Sequence, residues 1–392
     1  MMTATSRNAF SFPMLVSGFI AVLVGYSSTA ALIFQAAQAA GASPEQIGGW
    51  LSMLGIGMGL ASFGLSVWTR MPILAAWSTP GAALLATSVQ GLTLNEVVGV
   101  FVATNALIVL SGVTGLFARL MNHIPQSLAA AMLAGILLRF GIGTFTGLQG
   151  NFALCGSMCL VWLLSRRWLP RYAIILALIA GVLVAVGQQA IHFPPHALTL
   201  SVPEFIMPQF TLASLIGVGL PYFLVTMASQ NAPGIATIQA HGYQPPVSAL
   251  TGWTGFIALI LSPFGGFSVC IAAITAAICM GEDVDADPKR RWMASAIAGI
   301  FYLLTGFTGA LIAILLSALP QVLIATLAGL ALLATLSGSL QRALVEPDHR
   351  DSAIIAFLIT ASGISLLGIG SAFWGLIGGM ITHLVLSHRS RA

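Results

Sequence analysis

Two clusters of helix-breaking residues interrupt otherwise apolar, charge-free sequence: Ser78-Thr79-Pro80-Gly81 and Ser262-Pro263-Phe264-Gly265-Gly266-Phe267-Ser268. Pro80 has no N–H to donate and disfavours helix at Thr79, so an extended stretch followed by a helix starting at Pro80 is expected. The second cluster reads the same way, as a break followed by a short apolar helix. Each helix N-terminus would present unsatisfied N–H groups and about half a positive charge, which suits an anion. Hydroxyls of Ser78, Thr79 and Ser268 add donors, and Phe264 and Phe267 offer apolar surface to a flat ring. The plainer alternative is that proline and glycine only kink these segments.

Composition fixes the environment in which such breaks must operate. Only 6% of the 392 residues are charged, 58% are hydrophobic, and mean hydropathy is +0.98. A soluble domain carries about 25% charged residues, so the chain is an integral membrane protein and not a nucleic-acid binder, a secreted disulfide scaffold or a cytosolic enzyme. Cys155, Cys159, Cys270 and Cys279 all lie in apolar runs, which argues against a disulfide framework. The first apolar run, from Phe10 to Ala40, is too long for the core of a cleavable signal peptide.

A charge is costly at the bilayer centre, so charge-free windows of roughly 20 residues mark spans. One window lies between Arg7 and Glu45, and others cover 47–69, 71–95, 97–118, 120–138, 140–165 and 172–203. The uncharged stretch 205–281 divides into three at its turn residues, 292–341 divides at Pro320, and 352–388 divides near Gly370. The expectation is fourteen spans. With the amino terminus in the cytoplasm, every Lys and Arg except Arg139 falls inside, as the positive-inside rule requires, and both termini are cytoplasmic.

The stretch Ile124-Pro125-Gln126-Ser127-Leu128 with Ala134-Gly135-Ile136-Leu137-Leu138 echoes Leu319-Pro320-Gln321-Val322-Leu323 with Ala328-Gly329-Leu330-Ala331-Leu332. Gln38-Ala39-Ala40-Gly41 with Pro44 likewise echoes Gln239-Ala240-His241-Gly242 with Pro245. Seven spans per half is an odd number, so the second half would enter the membrane from the opposite side. The expected architecture is an all-α membrane protein built as a 7+7 inverted repeat, with residues 1–195 and 196–392 as intertwined halves. Interrupted spans 3 and 10 would meet near the midplane, as in secondary transporters.

The stretches Ala75-Ala76-Trp77-Ser78-Thr79-Pro80-Gly81-Ala82-Ala83-Leu84-Leu85, Met227-Ala228-Ser229-Gln230-Asn231-Ala232-Pro233-Gly234, Ser262-Pro263-Phe264-Gly265 and Gly368-Ile369-Gly370-Ser371-Ala372-Phe373-Trp374-Gly375-Leu376 resemble the benzoate/proton symporter family. The resemblance implies import of benzoate, an aromatic monocarboxylate, with protons across a bacterial-type inner membrane. It implies a fold similar to nucleobase and sulfate transporters, with a core domain moving against a gate domain, and it is compatible with a homodimer. It also places spans one and eight beside the site, which adds Tyr26, Ser27 and Ser28, and Ser229, Gln230 and Asn231. Similar nucleobase transporters carry buried glutamates in this region, whereas every acidic residue here maps to a loop or a span end. A site without fixed negative charge suits a carboxylate and leaves no obvious proton carrier.

Other constellations point to structure. Cys155 and Cys159 lack further metal ligands nearby, and Glu282-Asp283-Val284-Asp285-Ala286-Asp287 lacks the glycine and final glutamate of a calcium loop. His123 and His241 sit at span ends. Arg139, the exception to the charge rule, reads as a snorkelling anchor, with attraction of anions to an outer vestibule as the alternative. Gly55, Gly57 and Gly59 suggest close helix packing. No metal or cofactor is expected, no Ser/His/acid set or phosphate loop points to an enzyme, and membrane lipid is the surrounding partner.

Overall fold

A computed structural model describes residues 11–115, 125–193, 202–367 and 369–387. The first half runs α1 (Phe12–Ala39), α2 (Pro44–Thr69), β1 (Ala75–Ala76), α3 (Thr79–Ser88), α4 (Leu94–Thr114), α5 (Gln126–Gly150), α6 (Phe152–Trp168) and α7 (Ala173–Gly187). The second runs α8 (Leu212–Ala240), α9 (Val247–Leu261), β2 (Cys270–Ile271), α10 (Ile274–Ile278), α11 (Trp292–Phe307), α12 (Gly309–Ala318), α13 (Gln321–Leu344) and α14 (Arg350–Ser362). A two-residue hairpin pair, β3 (Ser365–Leu366) and β4 (Ile369–Gly370), then leads into α15 (Ser371–Ser387). Two long helices, a strand, a short helix and a further helix therefore recur in the same order in each half.

The chain is a mostly helical membrane protein, because seven of its described helices are long and apolar enough to cross a bilayer. Their starts follow from local chemistry. At α2, Ser43 accepts the Gln46 N–H while the Gln46 side chain accepts the Ser43 N–H, so two otherwise unpaired amides are satisfied together. Thr93 and Glu96 do the same for α4.

Packing is reciprocal: α2 lies against α11, and α4, which occupies the place of α11 in the first half, lies against α9. Both contacts rest on glycine. A Cβ on Gly59 would come within 2.8 Å of the Gly299 carbonyl, and one on Gly112 within 2.5 Å of the Gly252 nitrogen. In lipid, where apolar burial drives little association, such backbone approach supplies van der Waals contact.

Two boundaries differ from the sequence expectation. Helix α5 continues through Arg139, merging part of windows 120–138 and 140–165, since one arginine is a good helix former and breaks nothing. The turn falls instead at Asn151, whose Oδ1 accepts the Leu154 N–H and starts α6. Stretch 292–341 also divides at Thr308, where α11 and α12 meet at 65°. Part of the first repeat echo, at Ile124, and Gly368 of the last resembling stretch lie outside the described residues, as do Arg7, Arg119, His123, Arg389 and Arg391.

Candidate substrate site

The two broken segments meet. Strands β1 and β2 pair antiparallel, Ala75 opposite Ile271 and Ala76 opposite Cys270, and the Ala272 N–H extends the ladder to the Leu74 carbonyl (2.8 Å). Backbone that leaves a helix inside a membrane must find partners in protein, and side chains supply them. Ser62 Oγ accepts the Ala75 N–H (2.9 Å), and Ser66 Oγ donates to the Ile73 carbonyl (2.7 Å). Across the site Asn231 Oδ1 accepts the Ile271 N–H (2.9 Å), and Gln230 Nε2 donates to the Ile271 carbonyl (3.3 Å). Asn105 Nδ2 and Tyr222 Oη both donate to the Phe267 carbonyl.

Helix α3 starts as its sequence dictates. Ser78 is its N-cap, its Oγ accepts the Gly81 N–H (3.0 Å), and Pro80 sits in the first turn where no N–H is missed. The Ser78 N–H in turn donates to Ser268 Oγ (2.8 Å), tying the two breaks together in the fully buried interior.

Beside this junction lies a cavity of about 730 Å³. Ser27, Ser28, Thr79, Pro80, Ser229 and Gln230, all read from the sequence, line it. Ser27 and Ser28 hydroxyls are spent on the Val24 and Gly25 carbonyls of their own helix. Tyr26 stands behind the wall, its ring edge-on to Trp77 at 4.7 Å, and Trp77 itself faces the cavity. Ser78 and Gly81 lie beneath the α3 N-terminus, outside the lining, and Asn231 is fully buried holding β2.

The second cluster departs from the expected helix start. Residues 265–268 do not begin a helix: Gly265, with φ +84°, closes the turn that ends α9, and the chain stays extended to β2 before α10 starts at Ile274. A left-handed glycine at that position is a helix stop. Phe264, Gly265, Gly266, Phe267 and Ser268 do not line the cavity. Phe267 packs against Trp50 and Phe101, Phe264 against Phe205, and Ser268 Oγ is taken by the Ser78 N–H. Ala272, Ala273, Ile274 and Thr275 occupy the wall there instead.

The sequence reading missed Trp77, Thr275, Tyr302, Thr335, Arg166 and Arg342 as lining residues. Trp77 had a signal, two positions before the break; Thr275 and Thr335 sit in apolar runs with none. Arg166 and Arg342 carried a signal read only as topology.

The resulting chemistry is asymmetric. Among the described residues no carboxylate lines the cavity, its charged lining residues are Arg166 and Arg342, and the hydroxyls of Thr79, Ser229 and Thr275 have no partner. Trp77, Met58, Val24 and Ile174 supply apolar wall. A pocket of this size, mostly apolar with a few convergent donors, fits a small amphiphilic anion.

A helical membrane body with two broken segments paired beside a cavity defines a membrane transporter. The chain belongs to the family described as benzoate membrane transport protein, whose model matches residues 8–385. It is 56% identical over 375 residues to the inner membrane protein YdcO of Escherichia coli (strain K12), covering 96% of each chain. It is 37% identical over 383 residues to the benzoate membrane transport protein of Acinetobacter baylyi (strain ATCC 33305 / BD413 / ADP1), covering 97% of each. In fold it is similar to SLC26A9 (TM-score 0.64, 14% identity), covering 95% of this chain but 65% of that one, and to the transmembrane domain of the cyanobacterial bicarbonate transporter BicA (TM-score 0.59, 13% identity, 96% of each).

Proposed function

We propose that the chain is a secondary active transporter that imports benzoate, or a closely similar aromatic monocarboxylate, in symport with protons across the inner membrane. The observation that carries this reading is the cavity, lined by unspent hydroxyls, an indole and two arginines, without a carboxylate. The carboxylate lies toward Thr79 and the α3 N-terminus, with Ser229 and Thr275 as further donors, and the ring lies against Trp77. Family membership and the name of the Acinetobacter relative support benzoate over an inorganic anion.

The recurring element order and reciprocal packing support fourteen spans in an inverted 7+7 arrangement, split near residue 195, with cytoplasmic termini. In that arrangement α3 and α8 belong to a core that moves against a gate formed by α5–α7 and α13–α15. The cavity, with Arg166 and Arg342 at its mouth, then opens inward.

Import of a bare anion against a negative interior costs about 2.3 kcal/mol per 100 mV, and one co-transported proton makes the step electroneutral. Purified protein in liposomes is expected to accumulate radiolabelled benzoate when the outside is acidic, without sodium. Uptake that needs sodium and ignores the pH gradient would overturn the proton reading; no saturable uptake of benzoate would overturn the substrate.

A further inference from the structure

Helix α3 has a cavity at each end. Thr79 and Pro80, at its N-terminus, line the large one; Thr87 and Ser88, at its C-terminus, line a separate pocket of about 190 Å³. Eight residues of helix separate Thr79 from Thr87, about 12 Å along the axis. The second pocket lies between α3 and the start of α8 on one side and α5, α14, β3 and α15 on the other. In the arrangement proposed above these are the core and the gate, so the pocket is the outer half of the path that the large cavity opens inward.

Arg139 lines this pocket from the middle of α5. Its guanidinium lies against Gly363, where a Cβ would fall 1.2 Å from Nη2, and the left-handed φ of +68° at that glycine makes any side chain there unfavourable. Among the described residues Arg139 has neither an ion pair nor a hydrogen bond, and no carboxylate lines the pocket. An arginine within a membrane span is costly, and such residues face a cavity and mark ion or substrate pathways. The surroundings are polar: Ser88, Gln90 and Ser365 side chains are uncommitted among the described residues, and the buried Thr360 Oγ1 has no partner.

We propose that Arg139 forms an outer carboxylate-binding site, distinct from the large cavity, which captures the anion from outside before the core moves. The inference rests on the transport reading above. A planar guanidinium, in a pocket that Ser88 and Ser365 also line, offers a carboxylate paired donors that a lipid-facing anchor would not need.

Right-side-out and inside-out membrane vesicles, with radiolabelled benzoate, test it. Arg139→Gln should raise KM from the outer face about tenfold, the size of one charge-assisted hydrogen bond in a wet site, and leave KM from the inner face unchanged; Arg139→Lys should recover part of the loss. Ser365→Asp, at an exposed strand position in the lining of the same pocket, should bring a negative charge into that pocket and reproduce the outer-face defect, and it decides the matter if Arg139→Gln does not reach the membrane. An unchanged outer KM, or an equal rise from both faces, would overturn the site. Failure of the parent to transport benzoate in either orientation would instead refute the function on which it rests.

Discussion

At the first break the chain leaves β1 at Ala76 and is helical again at Thr79; at the second it leaves β2 at Ile271 and is helical again at Ile274. The interval is the same, yet α3 runs ten residues and α10 five. Helix α3 has a serine N-cap and a first-turn proline, whereas Ala273, which precedes α10, caps nothing. The first break is therefore held by its own sequence. The second is held by other elements: Asn231 and Gln230 of α8 on Ile271, Asn105 of α4 and Tyr222 of α8 on Phe267. One half of the junction can present an anion-binding helix end, and the other works as a brace.

The largest effect should come from reversing the electrostatics of the presenting half. Thr79→Asp places a carboxylate in the first turn of α3, where negative charge favours the helix, so folding should survive. A bound carboxylate about 4 Å away would meet on the order of 4 kcal/mol of repulsion at an effective dielectric near 20, roughly a thousandfold in affinity. Calorimetry with benzoate on the purified variant should detect no binding; parent-like affinity would remove the anion from this helix end.

On the bracing half, Asn231→Leu should act through stability. It leaves the buried Ile271 N–H without its acceptor, about 1–3 kcal/mol for an unsatisfied amide. Thermal unfolding in detergent should show a clearly lowered Tm. If Tm holds and only affinity falls, Asn231 is a binding residue and the contrast between the halves is wrong. Gly266→Ala belongs to the same class, because its Cβ would sit 2.5 Å from Leu261 Cβ, an overpacking cost of about 1–3 kcal/mol. Its KM should match the parent at temperatures where it is folded.

How much of this could be read beforehand divides along the same line. Residues 78–81 announce a helix start in their own chemistry, and the structure has it there. Pro263 and Gly265 resemble a start too, but proline opens a helical turn and left-handed glycine closes one, so the order Pro-Phe-Gly-Gly signals an ending. The true start at Ile274 has no local mark, since its position is set by the ladder with β1 and by Asn231, forty residues distant in sequence. Site residues follow suit: Thr79, Ser229 and Gln230 line the cavity beside recognisable breaks, whereas Thr275 and Thr335 face it from featureless apolar helices.

The smallest effect, and the sharpest separation of roles, is expected at Ser268. Its hydroxyl accepts the Ser78 N–H at 2.8 Å, across the junction and away from the cavity lining. In Ser268→Ala that amide loses its acceptor, while Ser78 Oγ still caps Gly81 and the β1–β2 ladder remains. A buried amide left unpaired costs about 1–3 kcal/mol, here toward the low end because the Ser78 cap and the ladder still hold the backbone, so Tm should fall modestly. Because α3 keeps its cap and Thr79 keeps its place, KM for benzoate should not move. Thr79→Val makes the opposite exchange, removing a cavity hydroxyl with no partner among the described residues, so it should weaken affinity several-fold, as for a lost hydrogen bond to a charged group, with little change in Tm. If Ser268→Ala weakens binding more than Thr79→Val, the serine reaches the substrate in another state of the transport cycle, and the second break presents as well as braces.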